Sequence, residues 1–289
     1  MLSEFRVCAY AKVNFGLNVF PKRGDGFHNI ESIFQTVDLY DELVVAKQND
    51  KICTVHCNSM ELPEENTLTT AYKAFSEVTG LNDFGVFVEL KKGIPSGGGL
   101  GGGSSDGAAL IKALEAFYEI TLTEEQLSLV ASKVGSDVFF FTRCNDKGTG
   151  CALVSGRGEI VRNIRGREDL YLLMVFPKTS SSTKLAYELI DKMYERGESV
   201  KAPSFDDYEV IYNQNPETWA FVNTFTPVIS NEYSEIEQVL NLVRKTGALY
   251  TEVSGSGSTV YGIFTSEQQA ERAKGLLADK WSCKVCRTL

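Results

Sequence analysis

Basic residues are in the minority in this 289-residue sequence, which has 29 lysines and arginines against 38 acidic residues and a formal net charge of −9. This balance argues against a nucleic-acid partner. No apolar run is long enough to cross a membrane, so a membrane partner is not expected either. Residues 1–6 lack the basic and apolar zones of a signal peptide, which predicts a cytoplasmic protein.

Histidine is rare, with only His28 and His56 in the chain. The pattern Gly103-x-Ser105-x-Gly107 matches the nucleophile elbow of α/β-hydrolases, but that fold places its histidine after the serine. Both histidines precede Ser105. A serine hydrolase of this form is therefore excluded.

Seven cysteines is an odd number, and in a cytoplasmic chain reduced thiols packed as small apolar groups are the expected state. A zinc site is the alternative, built from Cys53, His56 and Cys57 with Cys283 and Cys286. The two halves lie at opposite ends of the chain and neither has zinc-ribbon spacing, so the sequence favours reduced thiols.

Strand and helix signals alternate irregularly along the chain, which predicts an α+β fold rather than a doubly wound sheet. The apolar periodicity predicts strands at residues 6–19, 43–46, 52–57, 86–90, 151–154, 170–176, 248–252, 260–264 and 284–287. It predicts helices at residues 66–79, 107–118, 124–134, 182–196, 233–244 and 267–277. A domain boundary is expected in the polar stretch 162–169.

The most informative segment is glycine-rich, because six of the seven residues 97–103 are glycine. A predicted strand precedes it and a predicted helix follows it, an order that makes a nest of backbone N–H groups for a polyphosphate. Ser104 and Ser105 are expected to cap the helix or to turn their hydroxyls toward a phosphate or its magnesium. A plain flexible loop is the alternative.

Two further patterns near this loop suggest other functions. Gly97-x-Gly99-x-x-Gly102 matches the dinucleotide fingerprint, but residues 92–95 separate it from the strand, where that motif needs an immediate tight turn. The triplet at residues 83–85 resembles the magnesium-binding triplet of protein kinases, yet it precedes the glycine loop and no catalytic loop follows it. Neither pattern is favoured.

Three other segments complete a candidate site. Lys12 lies in an apolar strand pattern and is either an edge-strand charge or a buried functional cation. Asp137 is followed by Val138 and three phenylalanines, and a helix cap is its alternative role. Residues 254–259 form a second Gly/Ser turn before a strand, where backbone can close on a ligand.

These segments together resemble a known family. Segments 10–17, 94–106 and 253–259 are similar, in this order, to the three motifs of the GHMP kinases, small-molecule kinases named for galactose, homoserine, mevalonate and phosphomevalonate. Within the family, residues 22–28 and 31–39 resemble members that act on an erythritol linked to cytidine diphosphate. Shorter matches lie at residues 65–68, 156–159 and 223–225.

The resemblance implies two lobes with the active site between them: an ATP-binding domain at residues 1–165 and a second GHMP kinase domain at residues 166–289. ATP with Mg²⁺ and a small molecule carrying cytidine diphosphate are the implied ligands; the metal ligands and the oligomeric state stay open. It makes Asp137 the catalytic base and Lys12 its cationic partner; a structural buried salt bridge is the alternative for this pair.

The remaining site residues also follow from the resemblance. The ATP-binding residues are Asn66, Lys92, Pro95, Gly97, Gly98, Gly99, Leu100, Gly101, Gly102, Gly103, Ser104 and Ser105. The substrate-binding residues are Asn14, Phe27, His28, Thr183 and Tyr187. Ordinary packing is the alternative for His28 beside an aromatic residue, whereas the resemblance implies that it recognises a pyrimidine.

The sequence departs from the family pattern at four positions: Phe27 replaces tyrosine, Gly107 alanine, Phe139 proline and Thr224 aspartate. Two rival functions remain. One is a GHMP kinase acting on mevalonate or homoserine, and the other is a silent nucleotide-binding regulator, against which the presence of both Lys12 and Asp137 counts.

Overall fold

The computed structural model describes residues 3–289. The strands are β1 (Glu4–Lys22), β2 (His28–Gln48), β3 (Cys53–Cys57), β4 (Gly85–Lys91), β5 (Cys151–Gly156), β6 (Ile160–Asn163), β7 (Tyr171–Phe176), β8 (Tyr250–Val253), β9 (Val260–Phe264) and β10 (Ser282–Arg287). The helices are α1 (Thr67–Thr79), α2 (Gly102–Tyr118), α3 (Glu124–Val134), α4 (Val138–Thr142), α5 (Thr183–Glu195), α6 (Tyr208–Tyr212), α7 (Phe225–Glu232), α8 (Ser234–Lys245) and α9 (Glu267–Gly275).

The chain divides into two compact units, each made of several chain segments. The first contains Leu39–Ser96, Gly101–Gly150 and the residues up to Ala11; the second contains Lys12–Asp38, Gly97–Leu100 and Cys151–Leu289. Strands β1 and β2 pair with each other, and both contribute residues to both units. The predicted boundary after residue 165 stays a prediction.

In the first unit, β4 lies between β3, which is parallel to it, and the end of β2, which is antiparallel. Alternate residues of β4 are buried, as expected for a strand with one face on the core. Helix α1 packs against α2 and α3, and α4 packs against α2. Capping boxes at Asn66 and Thr123 start α1 and α3.

In the second unit, an antiparallel sheet has the order β10-β7-β9-β8. The central strand β9 is buried along its whole length, and α8 and α9 pack against the sheet. The start of β2 pairs with β5, which pairs with β6. Aromatic rings fill the core around Phe15, whose ring centroid lies 5.1 Å from that of Trp219 and 5.7 Å from that of Tyr212.

The α+β prediction is confirmed, and each predicted strand and helix overlaps an observed one. Strand β2 is far longer than the four residues predicted for it. The prediction missed most of the strand because its middle is buried on both faces, including the polar Gln35 and Thr36. This two-sided burial hides the apolar and polar alternation. Helices α4, α6 and α7 and strand β6 were not predicted; all four are short, and α7 carries Pro227 in its first turn.

None of the helices within residues 3–289 combines the length and apolar character needed to cross a membrane.

Candidate active site

The glycine loop is held against the third motif by close backbone packing in the second unit. A Cβ atom on Gly99, whose φ is +74°, would lie 2.0 Å from the carbonyl oxygen of Ser254. The Ser254 hydroxyl donates to the Gly99 carbonyl at 3.0 Å, and the backbone N–H of Thr259 donates to the Gly98 carbonyl at 3.3 Å. Only glycine permits this approach, so the second and third motifs form one structure.

Helix α2 begins inside the glycine-rich segment, five residues earlier than predicted. Its N-cap is Gly101, which offers no side-chain cap, and the half-buried Ser104 and buried Ser105 lie within the first turns. The capping alternative for these serines is therefore wrong, and the alternative that their hydroxyls face a phosphate or its magnesium stays a prediction. The first backbone N–H groups of a helix lack acceptors within it, so the start of α2 presents donors suited to a phosphate.

Lys92 is half-buried and lies between two buried carboxylates of the first unit. Its ammonium forms an ion pair with Asp41 and a second one with Asp106 at 3.0 Å. Burial disfavours the charge of Lys92, but Asp106 and Asp41 together raise the pKa of this ammonium. Burial raises the pKa of Asp106 well above that of an ordinary carboxyl, although Lys92 opposes the shift.

Asn66 uses its side chain within the first unit. Its Oδ1 accepts hydrogen bonds from the backbone N–H groups of Leu68 at 3.0 Å and Thr69 at 3.2 Å, and its Nδ2 donates to the Pro63 carbonyl. The neighbouring Thr67 lies beside the loop, since a Cβ on Gly103 would be 3.0 Å from its hydroxyl. The start of α1 thus adjoins the start of α2.

Lys12 is 3% exposed, so the edge-strand alternative is wrong. Its ammonium donates to Asn14 Oδ1 at 2.8 Å and lies 4.5 Å from the centre of the Phe34 ring. Its backbone N–H donates to the Leu100 carbonyl at 2.9 Å, which connects the first motif to the glycine loop.

Asn14 connects the first motif to the third motif. Its Oδ1 also accepts from the backbone N–H of Gly255 at 3.0 Å, and its Nδ2 donates to the Ser32 hydroxyl at 3.1 Å. The Ser32 hydroxyl in turn donates to the Gly16 carbonyl. Asn14 is 1% exposed. Its contact with Lys12 is observed, and its predicted role in orienting the substrate stays a prediction.

Asp137 lies in the first unit at the N-cap position of α4, ahead of four buried residues. The carboxylate is half-buried and makes no capping hydrogen bond to that helix, so the helix-cap alternative is not supported. Lys12 belongs to the second unit, and its pairing with Asp137 stays a prediction.

The predicted pyrimidine residues lie together in the second unit. The rings of His28 and Tyr187 have centroids 4.9 Å apart, with an interplanar angle of 36°. His28 Nδ1 donates to the Phe20 carbonyl at 2.7 Å, because a carbonyl oxygen only accepts. Its Nε2 lies 3.4 Å from a carboxylate oxygen of Asp191, and the Nδ1 hydrogen bond fixes the orientation of the ring.

Phe27 is 52% exposed, unusual for an aromatic ring. The Arg157 guanidinium lies 4.7 Å from the centre of this ring, a cation–π distance. Thr183 is the first residue of α5, and its hydroxyl lies 3.0 Å from that of Ser256 in the third motif.

Sequence reasoning missed two buried residues that support the motifs. Asn223 donates from Nδ2 to the carbonyls of Val253 at 2.9 Å and Gly255 at 2.8 Å, and so holds the third-motif turn. Its signal was the short match at residues 223–225. Asp41 offers no such signal, since nothing local marks it as the partner of Lys92, 51 residues away.

Residues 3–289 contain no group of three or more His, Cys, Asp or Glu side chains placed to hold a metal ion. The seven cysteines are free thiols.

Two family models match the chain. The GHMP kinases N terminal domain matches residues 66–145, which include the glycine loop and Asp137. The GHMP kinases C terminal model matches residues 207–283, which include the third motif.

Relatives match along nearly the whole chain. A 4-diphosphocytidyl-2-C-methyl-D-erythritol kinase of Treponema pallidum subsp. pallidum is 37% identical over 282 residues, which cover 94% of each protein. A kinase of the same name from Thermodesulfovibrio yellowstonii is 34% identical over 284 residues, covering 97% of this chain and 96% of the relative.

Two solved structures resemble this chain over nearly its whole length. The crystal structure of a 4-(cytidine 5'-diphospho)-2C-methyl-D-erythritol kinase has a TM-score of 0.73 and 27% identity, covering 98% of this chain and 99% of that one. A homoserine kinase from Cytophaga hutchinsonii has a TM-score of 0.70 at 18% identity, covering 100% of this chain and 95% of that one. The second likeness shows the fold alone.

Proposed function

This chain belongs to the GHMP kinases, and we propose on that premise how its three motifs bind ATP and a cytidine-linked acceptor. It is an ATP-dependent small-molecule kinase. It phosphorylates the 2-hydroxyl of 4-diphosphocytidyl-2-C-methyl-D-erythritol, a step of the non-mevalonate route to isoprenoid precursors.

One observation carries the assignment of the site: the three motifs are joined by hydrogen bonds in the second unit. Lys12 donates from its backbone to the loop at Leu100, and Asn14 accepts from Gly255 of the third motif. The loop and the third motif meet again at Gly99. Segments far apart in the sequence therefore form a single backbone framework around the functional side chains.

The ATP triphosphate binds at the glycine loop and the start of α2, where backbone N–H groups face the phosphate oxygens. Pro95, the glycines of residues 97–103, Leu100, Ser104 and Ser105 shape this surface. Asn66 and Lys92 lie at its edge. We assign ATP binding to a domain at residues 1–165. Residues 166–289 form the second GHMP kinase domain, which is the substrate lobe.

Mg²⁺ fits this loop without a protein cage. Magnesium in nucleotide sites commonly keeps several waters and takes one or two protein ligands beside the phosphates. The half-buried hydroxyl of Ser104 in the first turn of α2 suits such a single contact. When bound, the ion neutralises the β and γ phosphates.

Asp137 accepts the proton of the 2-hydroxyl, whose oxygen attacks the γ-phosphorus as the bond to the β,γ-bridging oxygen breaks and ADP leaves. Lys12, held by Asn14, supplies positive charge to the base and to the transferred phosphoryl group. No covalent enzyme intermediate is needed, because the acceptor hydroxyl is itself the nucleophile.

The cytidine end of the acceptor binds at Phe27, His28 and Tyr187. The exposed ring of Phe27 offers a stacking surface, and the imidazole of His28, oriented by its bond to the Phe20 carbonyl, hydrogen-bonds the pyrimidine through Nε2. Asn14 and Thr183 orient the erythritol and its diphosphate. Localisation in the cytoplasm stays a prediction.

The test is ADP release by the purified protein with ATP, Mg²⁺ and the diphosphocytidyl acceptor, run beside mevalonate and homoserine. Turnover that depends on the cytidine compound is expected. Turnover only with mevalonate or homoserine would keep the kinase and refute the pyrimidine site. No turnover with any acceptor, in protein shown to be folded, would support a nucleotide-binding regulator instead.

A further inference from the structure

Asp41 lies where strand alternation turns its carboxylate inward. Strand β2 pairs with β4 so that Glu42 faces Lys91 in register, and that pair is exposed. The next position on each strand points to the opposite face. Asp41 and Lys92 therefore point inward, where Asp41 is fully buried.

The Asp41 carboxylate uses both oxygens to bind residues 92–94, which lead into the glycine loop. Oδ1 accepts from the backbone N–H groups of Gly93 at 2.6 Å and Ile94 at 2.8 Å. Oδ2 pairs with the Lys92 ammonium. Three consecutive residues are thus fixed by one side chain.

The same ammonium reaches the other end of the loop. Lys92 donates to Asp106 at 3.0 Å, and Asp106 is the fifth residue of α2. A Cβ atom on Gly102, the first residue of that helix, would lie 3.5 Å from Asp41 Oδ2. Asp41, Lys92 and Asp106, hereafter the buried triad, therefore tie the entry of the loop to the helix that leaves it.

The charges of the buried triad explain why it acts on the protein and not on phosphate directly. One ammonium faces two carboxylates, so its positive charge is fully compensated. The Lys92 side chain is only 12% exposed. A buried charge pair is a weak source of stability but a strong source of fixed geometry, since breaking it leaves a charge uncompensated.

We propose that Asp41 is a positioning residue for ATP, because through the buried triad it fixes the glycine loop at both ends. This inference rests on the proposed function of the loop as the ATP site. A loop that is closed at its base keeps its N–H groups directed at the phosphates before ATP binds. Less conformational entropy is therefore lost on binding.

The test uses Asp41→Asn and Asp41→Ala with Glu42→Gln as the matched control. Asn keeps one oxygen for the N–H groups of Gly93 and Ile94 but loses the charge that holds Lys92, whereas Ala loses both. Glu42→Gln removes the same charge from the neighbouring exposed pair. The measurements are ATP KM, acceptor KM and the affinity for a non-hydrolysable ATP analogue.

In Asp41→Asn, the ATP KM is expected to rise about tenfold or more, with an equal loss of analogue affinity. Asp41→Ala is expected to lose more. The acceptor KM should stay unchanged, and Glu42→Gln should stay within about twofold of wild type. A merely structural defect would lower the unfolding temperature without separating the two substrates.

Folded Asp41 variants that bind the ATP analogue as well as Glu42→Gln does would overturn the proposal. If neither single variant folds, Asp41→Glu keeps the charge but displaces the carboxylate by one methylene from the N–H groups of Gly93 and Ile94, and wild-type analogue affinity in that variant would overturn the proposal equally. Failure of the proposed acceptor is a separate result, because analogue binding is read without any acceptor.

Discussion

At the scale of single residues, we propose that one carboxylate, that of Asp137, is the catalytic base. We expect Asp137→Asn to lower kcat by about 10²- to 10⁴-fold with ATP and acceptor affinities retained, because the amide keeps the shape but accepts no proton. Single-turnover rates and equilibrium binding measure the two effects separately. Asp83→Asn, an exposed site in the same unit, is the control. Full turnover in Asp137→Asn would remove this residue as the base.

A second side chain, His28, is expected to determine acceptor recognition. We predict that His28→Ala raises the acceptor KM about 10- to 100-fold, the cost of a lost buried hydrogen bond, and leaves the ATP KM unchanged. His56 offers a matched control, since it is the other histidine and lies exposed on β3. Equal effects of His28→Ala on both substrates would place the pyrimidine elsewhere.

Three elements of the second unit meet at Glu235, in the first turn of α8. Its carboxylate accepts from the hydroxyl and N–H of Thr179, after β7, and from the indole of Trp281, before β10. These bonds, the Thr179 hydroxyl first, lower the pKa of Glu235 to about 2. The folded state thus binds its proton less tightly than the unfolded state, whose pKa is about 4.5.

This difference makes the contribution of Glu235 to stability present above pH 4.5 and lost as the pH falls toward 2. We expect Glu235→Gln to lower the free energy of unfolding at pH 7 and to flatten its decline in that acid range. Urea unfolding at a series of pH values measures both. Glu237→Gln, exposed on the same turn, should keep the wild-type profile, and so would Glu235→Gln if the bonds contribute nothing.

The whole molecule should report its two ligands independently. Any ligand that binds only the folded state stabilises it, by about 2.7 kcal/mol at a concentration one hundred times Kd. We expect the ATP analogue and CDP each to raise the unfolding temperature of the wild-type chain. Asp41→Asn should reduce the shift caused by the ATP analogue alone, and His28→Ala the shift caused by CDP alone. Loss of both shifts in either variant would contradict separate sites.

Much of the architecture was predictable because it depends on local pattern. Alternation along β4 and helical spacing along α1, α3 and α8 reflect one-sided burial, which the sequence displays directly. Strand β2 was underestimated because burial on both faces removes that display. The early start of α2 was missed because glycine is a poor helix former and reads as loop.

The three motifs, the glycine loop and the candidate residues Lys12 and Asp137 could be identified from the amino-acid order, because each lies in a recognisable run of consecutive residues; the role predicted for His28 depended on the resemblance to the family. Only the tertiary structure revealed that Asn14 holds both Lys12 and Gly255, and that Lys92 is shared by Asp41 and Asp106. Such partners lie up to 241 residues apart. Hydrogen bonds and ion pairs depend on distance in space, and local sequence pattern carries no record of which distant groups folding brings within about 3 Å.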